Sequence, residues 1–123
     1  MRLYSGPELD KNQANFAPLT PVSVLKRTER VYPDLPAQIH GSIRRNWGEV
    51  AERCKLLASA LSKRGVGKGD TVALIAPNIP EALECALAIP MLGAVLNANN
   101  VRLDAAMLGF ILEHGEAKVL LVD

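Results

Sequence analysis

Aromatic side chains are scarce in this 123-residue chain, which has two Phe, two Tyr and one Trp. Few rings are therefore available for stacking against nucleic-acid bases. An excess of charge of one sign is also absent, because 14 Lys and Arg oppose 13 Asp and Glu for a formal net charge of +1. Such a charge does not attract nucleic acid or an acidic membrane over a distance. We predict no nucleic-acid partner.

Cysteine and histidine are equally sparse, with two residues of each type. Cys54 and Cys85 form no C-x-x-C motif, and we interpret them as small buried residues of a reducing compartment. His40 and His114 lie far apart in the sequence and have no Ser or Cys partner arranged for nucleophilic catalysis. The sequence therefore predicts no metal site and no catalytic residue.

Long hydrophobic runs are missing as well. The longest stretch without charge, residues 85–101, contains Pro90, Gly93 and several Asn, so it is too polar and interrupted to span a membrane. The first residues lack the apolar core of a secretory signal. With 49% hydrophobic and 22% charged residues, the chain is expected to form one globular domain. The predicted location is the cytoplasm, with the peroxisome as the alternative for a eukaryotic source.

The chain does contain clear signals for the start and end of local structure. Residues 1–19 hold turn formers without periodicity, which predicts an extended lead-in. Thr20 and Pro21 predict the start of a helix that Pro33 ends. The glycine at Gly41, between apolar residues, predicts a short hairpin.

A capping box is predicted at Asn46, because Glu49 follows three residues later. The helix that begins there has apolar residues at spacings of three and four, which predicts one buried face. That face consists of Trp47, Val50, Cys54, Leu57 and Leu61.

Strand and helix patterns alternate in the second half of the chain. Apolar runs at 71–76, 94–98 and 117–123 predict strands, and the segments 80–92 and 105–114 between them predict helices. Short connections of this kind predict right-handed crossovers and a parallel sheet. The predicted fold class is α/β, with a layered parallel sheet flanked by helices and preceded by a helix and a short hairpin.

Two details of this half are also predicted. Pro90 predicts a kink or an early end of its helix. The last helix is expected to begin at Asp104, to end at Gly115 and to turn four apolar residues inward. These are Met107, Leu108, Ile111 and Leu112. Because the last strand reaches Asp123 and leaves about three parallel strands, the sheet is expected to be incomplete.

The glycine-rich stretch RGVGKGDTVALIA (64–76) has the composition of a phosphate-binding loop. In a phosphate cradle, however, the glycines follow a strand and open a helix, so that backbone N–H groups converge on the ligand. Here Gly65, Gly67 and Gly69 follow a helix and precede a strand. We therefore predict a structural turn.

The candidate binding residues leave the carboxyl end of the second predicted strand, where open α/β sheets bind ligands. They are Asn97, Asn99, Asn100 and Arg102. The alternative is that the Asn residues form turns and that Arg102 pairs with a neighbouring carboxylate. Asn78, after the first strand, is a weaker candidate.

Several segments in register resemble one known family, the AMP-forming acyl-CoA ligases, and most closely its medium-chain fatty acyl and aromatic acyl branch. The resemblance runs from Asn12 to Asp123 and implies the incomplete N-terminal portion of the adenylate-forming ligase fold, with residues 20–123 as a partial N-terminal α/β subdomain. The segments are NQANFAPLTPVSVLKR (12–27), NWGEVAERCKLLASAL (46–61), GVGKGDTVALIAPNIPEALE (65–84) and PMLGAVLNANNVRLDAAMLGFILEHGEAKVLLVD (90–123).

The resemblance implies that the whole enzyme converts a small-molecule carboxylate and Mg-ATP into an acyl-adenylate and then passes the acyl group to coenzyme A. In this family the Ser/Thr/Gly-rich phosphate loop, the Thr-x-Glu magnesium site, the ribose-binding Asp and the C-terminal Lys come later, and no stretch here matches them. The early motifs NWGEV (46–50), with Asn46 where Thr is frequent, and MLGAVLNAN (91–99) do match. We expect these 123 residues alone to be inactive and to bind no ATP, magnesium or coenzyme A.

Two other classes of protein stay open at this point. A stand-alone binding or assembly module with a ligase-like α/β fold would pair its open sheet edge with a copy of itself or with another chain. A generic nucleotide-binding protein would bind ATP or NAD. A reading frame that continues past Asp123 favours the ligase, whereas a stop codon there favours the module.

Overall fold

The computed structural model describes residue 6 and residues 9–123 of the protein. Most of the predicted lead-in forms turns and irregular structure, and residues 1–5, 7 and 8 lie outside the described residues. No helix in the described part is long and apolar enough to cross a membrane. The elements are α1 (Pro21–Val31), β1 (Pro36–His40), β2 (Ile43–Asn46), α2 (Trp47–Lys63), β3 (Thr71–Ile75), α3 (Pro80–Met91), β4 (Val95–Asn99), α4 (Ala105–His114) and β5 (Ala117–Val122).

The first elements begin and turn where local sequence signals predict. Thr20 caps α1 by accepting the N–H of Ser23 at 3.0 Å. Asn46 Oδ1 accepts the N–H of Glu49 at 2.8 Å, and the Glu49 carboxylate accepts the Asn46 N–H at 2.8 Å, so the predicted capping box is confirmed. Strands β1 and β2 form the predicted antiparallel hairpin, and Gly41 adopts a φ of +55° in its turn.

The sheet is parallel, as predicted, with strand order β4-β3-β5. The central strand β3 pairs with β4 on one side and with β5 on the other. Strand β4 begins at Val95, one residue later than predicted, and the Val95 N–H donates to the Asp70 carbonyl at 2.8 Å. Because all three strands run in the same direction, their carboxyl ends lie at one edge of the sheet.

The core lies on one face of this sheet. Val72 and Leu74 of β3 pack there against Cys85 and Ile89 of α3 and against Leu61 of α2. A second cluster joins α1, α2 and α3, and it includes Leu25 of α1, which is 2% exposed. The chain is thus layered as sheet, helix pair and outer helix, with the hairpin at the side of α2 and α3.

The prediction for the inner face of α4 is wrong in part. Met107 is 46% exposed, and Leu108, Ile111 and Leu112 are only half-buried. The helix has no buried residue. Periodicity identifies the apolar side of a helix but not the element that covers it, and among the described residues α4 contacts mainly β5.

The ends of α3 and α4 agree with the predicted positions. Helix α3 includes Pro90 and ends at Met91, one residue short of the predicted segment 80–92, and the kink at Pro90 stays a prediction. Gly115 follows α4, but its φ is −82° and the left-handed residue is Glu116, with a φ of +50°. Space is tight at position 115, because a Cβ there would lie 2.8 Å from Asn97 Nδ2 and 3.0 Å from the Ile111 carbonyl oxygen.

Candidate functional site

The predicted binding residues lie at the end of β4 and in the turn that follows it. Asn99 is buried, and its Nδ2 donates to the Asn97 carbonyl at 3.0 Å. Asn100 Oδ1 accepts the backbone N–H of Arg102 at 2.9 Å. Both bonds are local side-chain-to-backbone interactions of the kind that Asn makes in turns. The side-chain amides of Asn99 and Asn100 therefore have a structural role in this turn.

A groove of about 550 Å³ opens at the carboxyl edge between the ends of β3 and β4. Asn99 and Asn100 line one side of it, and Asn78 lines the other. Asn97 and Arg102 do not line the groove, so the structure brings together half of the predicted set. Asn78, the weaker candidate, also lines the groove. It lies in the short connection between the end of β3 and the start of α3.

The rest of the groove is apolar, and none of the described residues that line it is charged. Amide groups can hydrogen-bond to a neutral polar atom, but they do not offset the charge of a triphosphate as Arg, Lys or a metal ion does. The groove therefore suits an apolar or neutral group better than a phosphate.

The glycine loop uses its own backbone N–H groups for internal bonds. The Gly65 N–H donates to the Ser62 carbonyl at 2.9 Å, and the Gly69 N–H donates to the Gly93 carbonyl at 3.0 Å. The Gly67 N–H donates to Asp70 Oδ2 at 2.7 Å. A phosphate cradle needs such donors free to point at the ligand. The loop is a structural turn at the amino edge of the sheet, as predicted.

Asp70 and Lys118 fix this loop to β5. Lys118 Nζ donates to Asp70 Oδ2 at 3.0 Å and to the Gly65 carbonyl at 2.6 Å. The Lys118 ammonium and, after it, the Gly67 N–H hold the pKa of the Asp70 carboxyl below its usual value. The lysine of the glycine-rich stretch, Lys68, is not part of this contact and instead packs against Gly93.

Sequence reasoning missed an ion cluster that joins the hairpin to α2 and α3. Glu84 of α3 is only 4% exposed, and its Oε1 lies 2.8 Å from Arg45 Nη1 and 2.6 Å from Arg53 Nε. Glu81 lies 3.3 Å from Arg45 and 3.5 Å from Arg53. The buried Gln38 accepts from Arg45 at 3.3 Å. A single carboxylate inside the apolar run of α3 was the signal that could have indicated such partners.

Opposite charges within this cluster balance, and this limits its chemistry. The hydrogen bond from Arg53 to Glu84 raises the pKa of the Arg53 guanidinium. The pKa of Glu81 is lowered, chiefly by its own backbone N–H and then by Arg45. Two guanidinium groups and two carboxylates leave no net charge to attract an anionic ligand, so we interpret the cluster as a structural connection.

Neither cysteine is a nucleophile in this environment. Burial, followed by the nearby Glu84 carboxylate, raises the pKa of Cys54 to about 11. Burial also raises the pKa of Cys85. Both side chains are therefore thiols at neutral pH, and the thiolate is the reactive form. Over residue 6 and residues 9–123, no group of three or more His, Cys, Asp and Glu residues is arranged to hold a metal ion.

The family model described as AMP-binding enzyme matches residues 25–123, which include the hairpin, the sheet and most of α1. This chain belongs to the AMP-binding enzyme family. The family match covers α4 and β5 as well as the well-packed elements before them. The glycine loop and the groove are therefore parts of a family segment.

Relatives within the AMP-binding family include ligases for different acids. The chain is 46% identical to the peroxisomal acetate/butyrate–CoA ligase of Arabidopsis thaliana, over 94% of this chain and 20% of that protein. It is 43% identical to the peroxisomal trans-cinnamate:CoA ligase of Petunia hybrida, with the same two coverages. The chain thus spans about a fifth of the length of the curated relatives it matches.

Solved structures support the same assignment. The O-succinylbenzoate coenzyme A synthetase of Bacillus subtilis, in its unliganded form, superposes with a TM-score of 0.77 and 27% identity. That match covers 80% of this chain and 22% of the synthetase. The parallel sheet flanked by helices is therefore the ligase fold in part, as the motifs predict.

Proposed function

We propose that this chain is the N-terminal α/β part of an acyl-CoA ligase. The whole enzyme would join a small-molecule carboxylate to AMP from ATP, with magnesium and with release of pyrophosphate, and would then transfer the acyl group to coenzyme A. Support comes from the family match over residues 25–123 and from relatives that are CoA ligases. The peroxisomal relatives favour the peroxisome over the cytoplasm if the source is eukaryotic.

The described residues do not themselves fit Mg-ATP. The N–H groups of the glycine loop are engaged within the protein, the groove at the carboxyl edge has no charged lining, and the described part of the chain has no acidic cluster for a metal. We therefore assign no step of the reaction to a side chain of this segment. Its role in the whole enzyme would be to hold the sheet and its carboxyl edge in place.

The choice of acid is also assigned to other parts of the whole enzyme. Relatives for acetate or butyrate and for trans-cinnamate match this chain at 46% and 43% identity. A segment that selected the acid would be expected to resemble one of these enzymes much more than the other, because a short aliphatic pocket and an aromatic pocket need different linings. We infer no particular substrate beyond a small carboxylate.

The single observation that carries the predicted inactivity of this chain is the internal bonding of its glycine N–H groups. The test is pyrophosphate release from the purified chain with Mg-ATP, coenzyme A and acetate, butyrate or trans-cinnamate in turn, with the Arabidopsis ligase as positive control. We expect no release above the enzyme-free rate. Release that depends on one of the acids would overturn the proposal.

The stand-alone assembly module stays the second candidate, because α4 has no buried residue and β5 lies at an edge of the sheet. The encoding reading frame distinguishes the two. Continuation past Asp123 into a glycine-rich phosphate loop supports the ligase. A stop codon directly after Asp123 supports the module.

A further inference from the structure

The last part of the chain, residues 100–123, differs from the rest in how deeply its side chains are buried. Among residue 6 and residues 9–123, every buried residue, apolar or polar, lies between Leu25 and Asn99. Residues 100–123 contain none, although α4 and β5 are rich in Leu, Ile, Val and Ala. These two elements have a composition suited to burial, yet the described part of the chain leaves them without full cover.

The uncovered side can be located from strand alternation. Val119 and Leu121 of β5 pack toward the core of α2 and α3, so Leu120 and Val122 point to the opposite face of the sheet. Leu96 of β4 also packs toward that core, so its neighbour Asn97 points away from it. Position 115, at the end of α4, approaches Asn97. Helix α4 therefore lies on the face opposite to α2 and α3.

On that face, Val95 of β4 is 53% exposed, and four large apolar side chains of α4 and β5 are exposed as well; these four together we name the α4–β5 face. They are Met107 (46%), Phe110 (61%), Leu120 (43%) and Val122 (64%). Met107 and Phe110 are three positions apart on α4 and share one side of it. Scattered exposed apolar residues are ordinary, but a set on one side of a sheet and its helix is typical of an interface.

From this arrangement we infer that the α4–β5 face is the surface on which the remaining polypeptide of the same ligase packs. The inference rests on the proposed function. The relatives are about five times as long as this chain, so most of each ligase lies outside the matched segment. The family match runs through α4 and β5, so these exposed residues belong to the family segment. The occupant is therefore an apolar surface of the parent chain, not a ligand or an unrelated protein.

A second copy of this chain is the competing occupant. Its formal net charge of +1 does not oppose self-association, but a dimer would need the same small face on both copies. The face is formed by one short helix and one edge strand, whereas stable interfaces between separate chains commonly use 20 to 30 residues on each side, roughly. The parent polypeptide needs less area, because it is covalently joined and acts at a high effective concentration.

The experiment compares two forms of the chain. In a chimera, these 123 residues replace the matching segment of the Arabidopsis acetate/butyrate–CoA ligase, and the second sample is the isolated chain. Hydrogen exchange is measured at the amides of residues 105–122 and of α2 in both. We expect exchange at 105–122 to be at least about tenfold slower in the chimera, and exchange in α2 to change by less than about threefold.

A pair of variants tests the face itself. Phe110→Asp places a charge on the α4–β5 face, whereas Ile39→Asp places one on the hairpin at similar exposure, 66% against 61%. In the chimera, F110D is expected to return exchange at 105–122 to within about threefold of the isolated chain, and I39D to leave it slow. Equal effects of the two variants would overturn the inference.

The other outcomes are also decisive. Unchanged exchange at 105–122 in a chimera whose α2 amides are protected means that the remaining polypeptide does not cover the face. An isolated chain that is dimeric by light scattering and protected at 105–122 assigns the face to a second copy. Formation of acetyl-CoA or butyryl-CoA by the chimera tests the proposed function separately, because protection without ligation rejects the function and keeps the inference.

Discussion

At the scale of single residues, Glu84 is a buried carboxylate that accepts hydrogen bonds from two side chains far away in the sequence. It is buried, it accepts from guanidinium groups of the hairpin and of α2, and it belongs to α3. Removal of one partner from a buried ion pair leaves the other charge uncompensated, which costs more than the pair itself contributes. Glu84 therefore holds three elements in register.

We predict that Glu84→Gln lowers the free energy of unfolding by about 2–4 kcal/mol, somewhat below the range for fully buried pairs because Arg53 can regain water. Urea denaturation measures this difference. Glu52→Gln, an exposed change on α2, is the matched control and should stay within about 0.5 kcal/mol of the unchanged chain. Equal stabilities of the two variants would show that the cluster is not a structural connection.

The contact between Asp70 and Lys118 leads to a second prediction, on how the stability of the protein depends on pH. A carboxylate whose pKa is lowered in the folded state contributes stability above its unfolded pKa and loses it as the pH falls through the folded value. Lys118→Met removes the largest cause of that lowering. The variant should therefore melt below the unchanged chain at neutral pH, and the difference should shrink as the pH falls below about 4.

Thermal unfolding between about pH 2 and pH 7 measures the effect on Asp70. Lys63→Met, which removes an exposed lysine at the end of α2, is the control and should shift the melting temperature by a similar small amount at every pH. A difference for Lys118→Met that grows in acid would contradict the assigned contact.

Residues that act through near neighbours could be predicted from the sequence, whereas the Glu84 cluster could not. The capping pair Asn46 and Glu49 is set by a spacing of three, and the structure has both bonds. Glu84 pairs with Arg45 and Arg53, which lie 39 and 31 positions away. No local spacing identifies such partners, because they meet only after α2, α3 and the hairpin have packed.

At the scale of elements, we predict opposite effects on stability for substitutions at two glycines. One lies within α4 and the other directly follows it. Gly109 lies within the helix, and a Cβ there would meet no atom of the described residues within 4 Å. At Gly115 a Cβ would lie 2.8 Å from Asn97 Nδ2 and 3.0 Å from the Ile111 carbonyl. Gly109→Ala should stabilise the protein by about 0.5–1 kcal/mol through helix propensity, and Gly115→Ala should destabilise it by about 1–3 kcal/mol through overpacking.

Chemical denaturation of both glycine variants provides the measurement, and each serves as the control for the other. Asn97→Ala in the Gly115→Ala background should recover part of the loss, because the nearer contact is removed while the Ile111 carbonyl stays. Destabilisation by Gly109→Ala equal to that by Gly115→Ala would mean that α4 is not helical as described.

Hydrophobic periodicity predicts which segments are helices and which are strands, but it does not predict which element packs against them. The runs that begin near 71, 95 and 117 are strands as predicted, and the segment 105–114 is a helix. The inward face expected for α4 failed at Met107 because the sequence does not specify which element packs against it. A hydrophobic pattern indicates that cover is needed, not that the same segment of chain supplies it.

At the scale of the whole molecule, alternation of strands and helices was enough to predict a parallel sheet but not its strand order. Strand β5 lies beside β3 rather than beside β4, so the second crossover passes over β3 and places α4 on the face opposite to α3. The carboxyl edge of the sheet therefore has two gaps, one between β3 and β4 and one between β3 and β5. The groove with Asn99 and Asn100 lies between β3 and β4, and this part of the candidate site could be predicted from strand ends alone.

The same edge gives a prediction that separates the ligase segment from a generic nucleotide-binding protein. A site occupied at 100 times its Kd would add about 2.7 kcal/mol to the free energy of unfolding. For a domain of this size, that raises the melting temperature by roughly 8 °C or more. Because the loop N–H groups are engaged and the groove is uncharged, we expect Mg-ATP at about 5 mM to shift the midpoint by less than about 1 °C.

Sodium sulfate at equal ionic strength is the control for the ATP measurement, since it reports any general effect of anions on stability. The expected result is the same small shift with sulfate and with ATP. A saturable shift with ATP that sulfate does not reproduce would mean that this segment holds a nucleotide site of its own. In that case Asn99→Ala and Gly67→Ala would locate it, because the first lies at the carboxyl edge of the sheet and the second at the amino edge.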